Sequence, residues 1–224
     1  MNRQQLLFGI VGLAVVAICV VAYMVFSGPA DDTGTLASGG AQYKVVVTAD
    51  DRTQGNPKAP ITMVEYAAPS CPHCAHFDMT LFPYLKKNYI DTGKVYYVFR
   101  VFPLSQVDVA AESMARCLPA DNYFQFIDLL FRNQPKWDPD GYQIPDVHAA
   151  LVDMGRIAGM SADQVDKCIG APNANKRAAD VGAYAQTTYG INGTPTFLVN
   201  GQTALPFESP DDITTYLDGV LAEK

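Results

Sequence analysis

The sequence predicts an α/β protein whose sheet is interrupted by a long helical insertion and preceded by one apolar segment of membrane-spanning length. Short β-branched and aromatic runs at 61–66, 95–102 and 196–199 predict the strands. Between the last two runs, apolar residues recur at helical spacing over 105–189. Ahead of all of these, residues 6–26 form an uncharged apolar run. We therefore expect one globular domain with an apolar segment in front of it.

The composition excludes several classes of protein. The 224 residues are 49% hydrophobic and 17% charged, which is typical of a folded domain and not of a disordered, collagen-like or coiled-coil chain. The 16 Lys and Arg against 23 Asp and Glu give a net charge of -7. Without a basic stripe to neutralise phosphates, we expect no nucleic-acid partner.

The apolar run at 6–26 is predicted to be a single transmembrane helix. At ~1.5 Å per helical residue it can cross a hydrocarbon core of ~30 Å. Arg3 precedes it and two aspartates follow it, so the positive-inside rule places the rest of the chain outside the cytoplasm. Residues 27–42 have the composition of a flexible linker, and we take 1–43 as anchor and linker. A cleaved signal peptide is the alternative.

The tetrapeptide Cys71-Pro72-His73-Cys74 is the most informative motif in the chain. A zinc finger of this type needs a second ligand pair roughly 12 to 20 residues downstream, and His76 is too close to serve. The motif therefore favours a redox-active pair. A metal-binding module that uses Cys71, Cys74, His73 and His76 as ligands stays open as an alternative of another class.

The surroundings of the motif strengthen the redox interpretation. The strand at 61–66 ends in a short loop before Cys71, and helical spacing begins at Cys74, with Pro83 expected to kink the helix. A strand, a loop and a helix that opens with C-x-x-C form the thioredoxin-like arrangement. At the helix start, unpaired amides and the positive end of the dipole stabilise a thiolate, and Pro72 suits the first turn. We expect Cys71 to attack and Cys74 to resolve.

Three segments in this order resemble the DsbA family of thiol:disulfide oxidoreductases, from Tyr43 to the carboxyl terminus. They are Glu65-x5-Cys71-Pro72-His73-Cys74, Arg100-Val101-Phe102-Pro103-Leu104 and Gly193-Thr194-Pro195-Thr196-Phe197. The resemblance implies a thioredoxin-like domain built from 44–104 and 190–224, with an inserted helical domain at 105–189.

The resemblance also implies roles for residues around the motif. His73 would stabilise the Cys71 thiolate, although it could be a plain surface residue at a helix start. Glu65 would be an acid that assists proton transfer at Cys74; on an exposed edge strand it would instead face solvent. The Thr194-Pro195 bond would be cis and lie beside the motif, leaving the backbone of Thr194 free to pair with an extended substrate.

The function that the resemblance implies is the oxidation of thiol pairs in exported proteins through Cys71 and Cys74, without a metal or organic cofactor. A membrane quinone-linked thiol oxidase, similar to DsbB, would regenerate the disulfide. The protein would lie in a bacterial periplasm, tethered to the inner membrane by 6–26. The alternatives are an isomerase or reductase that uses the same pair, and a peptide-binding module in which the two cysteines form a structural bridge.

The remaining elements follow in order along the chain. Cys117 and Cys168 lie on helical stretches and are the pair left after the motif and the apolar run, so we expect a structural disulfide, with buried free thiols as the alternative. Residues 134–141 are predicted to be a loop, and 203–205 a strand that pairs with 196–199. The helical stretches expected in the insertion are 107–117, 122–132, 146–158, 162–169 and 173–189. A last helix is expected after Ser209, its N-cap, with Pro210 at the first helical position.

Overall fold

The structure is a computed structural model that describes residues 42–204 and 206–223. The predicted membrane span at 6–26 and almost all of the linker lie outside these residues, as does Leu205 at the end of a predicted strand. Among the helices of the described residues, none combines the length and the apolar character that a bilayer crossing requires.

A mixed sheet with the strand order β1-β3-β2-β4-β5 forms the centre of the described part of the chain. The strands are β1 (Arg52–Gln54), β2 (Ile61–Ala67), β3 (Val95–Val101), β4 (Thr196–Val199) and β5 (Gln202–Ala204). Only β2 and β3 pair in parallel; the other neighbours are antiparallel. The predicted strands are thus present within a residue or two, whereas β1 was missed because three polar residues carry no strand pattern.

Strand β2 lies in the middle of the sheet, hydrogen-bonded to β3 on one side and β4 on the other. Both of its faces are covered, which explains its nearly continuous apolar sequence. Glu65 shares a face with Ile61 and Met63, and all three are buried. The alternative that Glu65 lies on an exposed edge strand is therefore wrong.

The helix after the motif is divided. α1 (Pro72–Thr80) ends at Leu81, α2 (Phe82–Leu85) follows, and a π-helical turn at Lys86–Ile90 leads towards β3. Pro83 lies in the first turn of α2, where its missing N–H leaves no intrahelical hydrogen bond unmade. The predicted kink takes the form of this break between two helices.

Six helices separate β3 from β4 within the described residues. They are α3 (Gln106–Cys117), α4 (Tyr123–Arg132), α5 (Gln134–Trp137), α6 (Val147–Ile157), α7 (Ala162–Ile169) and α8 (Pro172–Tyr189). The predicted loop at 134–141 is wrong in its first half, because α5 occupies it. Trp137 is fully buried there and its indole N–H donates to the Leu130 carbonyl at 2.9 Å. A tertiary contact thus outweighs the local turn composition.

Two terminal features match the sequence signals. The β4–β5 turn places Asn200 at φ 49° and Gly201 at φ 84°, the left-handed conformations that an Asn-Gly pair tolerates. A Cβ atom at Gly201 would also lie 1.9 Å from the Tyr43 carbonyl oxygen. The last helix, α9 (Pro210–Ala222), begins with Ser209 as its N-cap, and the Ser209 side chain accepts from the Asp212 amide.

Apolar residues cover both faces of the sheet. One cluster joins the sheet to the insertion helices and includes Met63, Cys71, Cys74, Phe126 and Trp137. The cluster on the other face includes Val64, Tyr66, Val98, Tyr189 and Leu198. The cysteine motif therefore belongs to the face on which Glu65 is buried.

Candidate active site

Cys71 lies where the loop after β2 meets α1. It is the N-cap of the helix, with φ −72° and ψ 120°, and Pro72 occupies the first turn. The Cys74 amide donates to the Cys71 sulfur over 3.3 Å, and the Cys71 thiol donates to the Thr194 carbonyl over 3.4 Å. The first cysteine is thus held between the start of a helix and the residue that precedes Pro195.

The pKa of the Cys71 thiol is lowered to about 6. The largest cause is a hydrogen bond from the Cys74 thiol; burial opposes it, and hydrogen bonds from the Cys74 and His73 amides add to it. These donors stabilise the charged form of the sulfur. At neutral pH the reduced protein therefore carries a Cys71 thiolate, the form that attacks disulfides.

Cys74 has the opposite properties. It is fully buried, and burial raises its pKa well above the ordinary value, with the hydrogen bond to Cys71 and the charge of that sulfur adding to the rise. Cys74 is therefore a neutral thiol that donates to its partner. Two cysteines one helical turn apart thus differ in charge, burial and availability.

Glu65 lies beneath the motif as a buried carboxyl group. Its side chain accepts a hydrogen bond of 2.5 Å from the hydroxyl of Tyr97 on β3, and Tyr97 is itself buried. Burial raises the pKa of Glu65 to about 8; the Tyr97 hydrogen bond opposes the rise, and the charges of Asp78 and Cys71 add to it. The carboxyl group is thus protonated at neutral pH, and it lies close enough to Cys74 for its charge to raise the pKa of that thiol.

Asp78 is an acidic residue of this region that the sequence analysis missed. It follows Cys74 by four residues on α1, which places both side chains on one face of the helix. Burial raises the pKa of Asp78 to about 7, a hydrogen bond to Asp128 and the charge of Asp128 add to the rise, and Arg132 opposes it. Arg132 in turn binds both carboxylate oxygens of Asp128, at 2.8 and 2.9 Å. The i, i+4 spacing from Cys74 was the available signal.

The Thr194-Pro195 peptide bond is cis and immediately precedes β4. Because the Thr194 carbonyl accepts from the Cys71 thiol, this bond lies directly beside the motif. The two residues expected to bind substrate are thus brought to the sulfur that is expected to react with it.

The two histidines of the motif region differ from the cysteines in their exposure to solvent. His73 and His76 are both exposed, and the backbone amide of His73 contributes to the stabilisation of the Cys71 thiolate. In the described ranges, no three His, Cys, Asp or Glu side chains are grouped so that they could hold a metal ion.

Two buried polar residues of the insertion hold the loop before Cys71, and neither was singled out from the sequence. Gln134 donates to the carbonyls of Pro69 and Cys71, at 2.8 and 3.0 Å. Asp108 is fully buried and accepts from the amide and hydroxyl of Ser70 and from the amides of Leu104 and Ser105. The insertion therefore fixes the backbone that carries the reactive sulfur.

Cys117 and Cys168 are joined by a disulfide between α3 and α7, with their Cα atoms 6.1 Å apart and a sequence separation of 51. Cys71 and Cys74 are free thiols in the same structure. The described residues thus hold one cross-link between two helices and one dithiol at the start of α1.

The structure combines a mixed sheet with a helix that opens with a C-x-x-C motif, whose two thiols differ in pKa and of which the first contacts the Thr194 carbonyl. This combination defines the class of thiol–disulfide exchange proteins. Residues 47–219 match the family model described as "Thioredoxin". The chain therefore belongs to the thioredoxin family, and its thioredoxin-like α/β fold is confirmed.

Individual relatives confirm the resemblance to DsbA. The crystal structure of α-DsbA1 from Wolbachia pipientis is similar with a TM-score of 0.72 and 27% identity, covering 80% of this chain and 94% of that one. BdbD from Bacillus subtilis, at 21% identity and a TM-score of 0.68, covers 82% and 97% and supports the fold alone. A Rickettsia felis protein, named as a protein-disulfide oxidoreductase, is 35% identical over 189 residues. That match covers 81% of this chain but only 64% of the Rickettsia protein, so the chain spans less than two thirds of this relative's length.

Proposed function

We propose that this protein is a thiol:disulfide oxidoreductase that introduces disulfides into exported proteins, with Cys71 as the exchanging sulfur and Cys74 as the resolving one. The observation that carries the proposal is the opposite shift of the two thiols: the pKa of Cys71 is lowered to about 6, while that of Cys74 is raised well above its ordinary value. The names of the DsbA and disulfide oxidoreductase relatives support the same chemistry.

The reaction begins from the Cys71–Cys74 disulfide. A substrate thiolate attacks the Cys71 sulfur, a mixed disulfide forms, and Cys74 leaves as a thiolate. The neutral Glu65 carboxyl can protonate that leaving thiolate, which is consistent with its raised pKa. A second substrate thiolate then attacks the substrate sulfur of the mixed disulfide and expels Cys71 as a stabilised thiolate. Two substrate thiols lose two electrons, and the enzyme pair gains them.

The Thr194-Pro195 segment would hold the substrate during both attacks. An extended peptide that paired with the backbone of Thr194 would have its cysteine beside Cys71, because the Thr194 carbonyl already lies 3.4 Å from that sulfur. Pro195 has no N–H to compete for the substrate's acceptors.

The direction of catalysis depends on how far the protein favours its reduced form. A thiol that titrates at about 6 instead of the ordinary 9.0 stabilises the reduced protein by roughly 1 to 2 kcal/mol at pH 7, or about 30 mV, rising to about 90 mV above pH 9. The sign follows from a lowered pKa: the effect is complete above the ordinary pKa and is lost as the pH falls through 6. It makes the disulfide the better oxidant.

Equilibration of the full chain with glutathione buffers tests the proposed direction. We expect a reduction potential less negative than about −180 mV, the value of protein disulfide isomerase. A potential near about −270 mV, as in a reducing thioredoxin, would assign the pair to the reductase alternative.

The cellular setting is part of the proposal. The substrates would be reduced exported proteins, and a membrane quinone-linked thiol oxidase similar to DsbB would restore the disulfide. The apolar run at 6–26 would tether the protein to the periplasmic side of the inner membrane. Cell fractionation tests the tether: we expect the protein in the salt-washed membrane fraction and open to protease in spheroplasts. A soluble protein with a new amino terminus would instead indicate a cleaved signal peptide.

A further inference from the structure

A cavity of about 520 Å³ lies on the sheet face opposite the cysteine motif. We name it the arginine pocket, after Arg100, Arg116 and Arg177, which line it. Its walls come from β2, β3, α3, α8 and the segment before β1, and neither motif cysteine nor Thr194 is part of them. Its volume is in the range of cavities that hold small organic ligands.

Arg100 is paired with neighbouring residues at one side of the arginine pocket. Its guanidinium group binds both carboxylate oxygens of Asp51, at 2.7 and 2.9 Å, and donates to the Tyr66 hydroxyl and the Val46 carbonyl. Arg100 and Asp51 therefore neutralise each other.

Arg116 is partnered as well. It forms an ion pair with Glu112 four residues before it on α3 and donates to the Asp50 carbonyl at 2.8 Å. Glu112 is buried and also accepts from the Tyr123 hydroxyl at 2.5 Å. The carboxylate of Glu112 is thus used by these two neighbours. At the rim, the exposed Lys176 of α8 is likewise paired, with Asp180.

Arg177 is the cation of the pocket that lacks such a partner. Its Nη2 atom is buried and has no hydrogen-bond partner among the described residues, and the same holds for the Nε atom of nearby Arg52. Burial and then the positive charge of Arg116 lower the pKa of Arg177, whereas Glu112 opposes them. Arg177 thus lies within electrostatic reach of the guanidinium groups of Arg116 and Arg52 and of one carboxylate, Glu112, which already binds Arg116 and Tyr123. A buried unpaired donor on a cation is costly.

We propose that the arginine pocket binds an organic oxyanion, a carboxylate or phosphate group carried on an apolar body, with Arg177 as its principal contact. The guanidinium fork matches both oxyanions in bidentate geometry. Val46, Val181 and Tyr184 supply an apolar wall for the body of the ligand, and Val46 and Tyr184 are about half exposed without a ligand. An inorganic ion alone would leave this wall in contact with water.

Calorimetric titration of the full chain in mild detergent tests the proposal with four probes: phenyl phosphate, benzoate, inorganic phosphate and neutral benzyl alcohol. We expect one of the two aromatic anions to bind more tightly than inorganic phosphate, and benzyl alcohol not to bind. Tighter binding of phenyl phosphate would identify the head group as a phosphate, and tighter binding of benzoate as a carboxylate.

Substitution at Arg177 assigns the binding to the pocket. Arg177→Gln should weaken the binding of the aromatic anion by about tenfold or more, the value of a charge-assisted hydrogen bond. Arg177→Lys should bind the anion with an affinity between those of the wild type and Arg177→Gln. Arg156→Gln removes an exposed guanidinium on α6 and should change nothing. The bound anion should also raise the thermal midpoint of the wild type and not that of Arg177→Gln, and a cooperative thermal transition of the variant would show that it is folded.

Three results would overturn the proposal: no anion binds the wild type in the millimolar range, benzyl alcohol binds as well as the anions, or Arg177→Gln binds as tightly as the wild type. The titration involves neither cysteine of the motif. Failure here would therefore leave the proposed thiol–disulfide exchange untouched, and a Cys71→Ser variant that still binds the anion would show that the two are independent.

Discussion

Replacing Glu65 by Gln should change how the stability of the protein depends on pH. Glu65 is 2% exposed, and its pKa is raised from 4.5 to about 8. Between these values the folded protein holds a proton that the unfolded chain has released, so wild-type stability falls as the pH rises. Gln has nearly the same shape as a protonated Glu but cannot ionise in either state, so the variant escapes this loss.

The magnitude follows from the two pKa values. The loss in wild type is under about 1 kcal/mol at pH 5 and about 3 kcal/mol at pH 7, and it levels off above pH 8. Glu65→Gln should therefore gain about 2 to 3 kcal/mol on the wild type between pH 5 and pH 7. The second amide hydrogen of Gln has no counterpart in the carboxyl group and carries a fixed cost of ~1 to 3 kcal/mol. Because this cost is the same at both pH values, it cancels in the comparison.

Urea unfolding of the reduced full chain at pH 5, 6 and 7 provides the measurement. Glu208→Gln is the matched control, because Glu208 is exposed and its loss should produce no such trend. A difference between Glu65→Gln and wild type that stays constant with pH would refute the buried neutral acid. The same variant should also oxidise a reduced protein substrate more slowly, since it cannot protonate the departing Cys74.

Three further predictions concern the cysteines. Cys74→Ala should accumulate mixed disulfides through Cys71 in cells, and equal trapping by Cys71→Ala would reverse the assigned roles. The thiolate absorbance of the reduced protein should titrate with a midpoint near pH 6. His73→Ser should raise this midpoint, and an unchanged midpoint would contradict a role of the His73 side chain. Replacing both Cys117 and Cys168 by Ala should cost about 4 kcal/mol of unfolding free energy, the chain entropy of a 51-residue loop, as measured by urea unfolding; a loss below about 1 kcal/mol would contradict that account.

The sequence by itself determined the features that depend on neighbours along the chain. Cys71 at the start of α1, Pro72 in the first turn, the Asn200-Gly201 turn and the Ser209 cap follow from backbone requirements that a few adjacent residues satisfy. The long helical stretches of the insertion are of the same kind, because apolar spacing repeats within each helix. The family resemblance rested on such local motifs and was sufficient for the fold class.

Only the tertiary structure decided the chemistry of the motif. The Thr194 carbonyl that meets Cys71 is 123 residues away in sequence, and Gln134, which holds the loop, is 63 residues from Cys71. The raised pKa of Glu65 requires β2 to be a central strand covered on both faces, which its own seven residues do not specify. Charge and proton affinity depend on burial and on partners brought together by folding, so they become visible only when distant segments are packed.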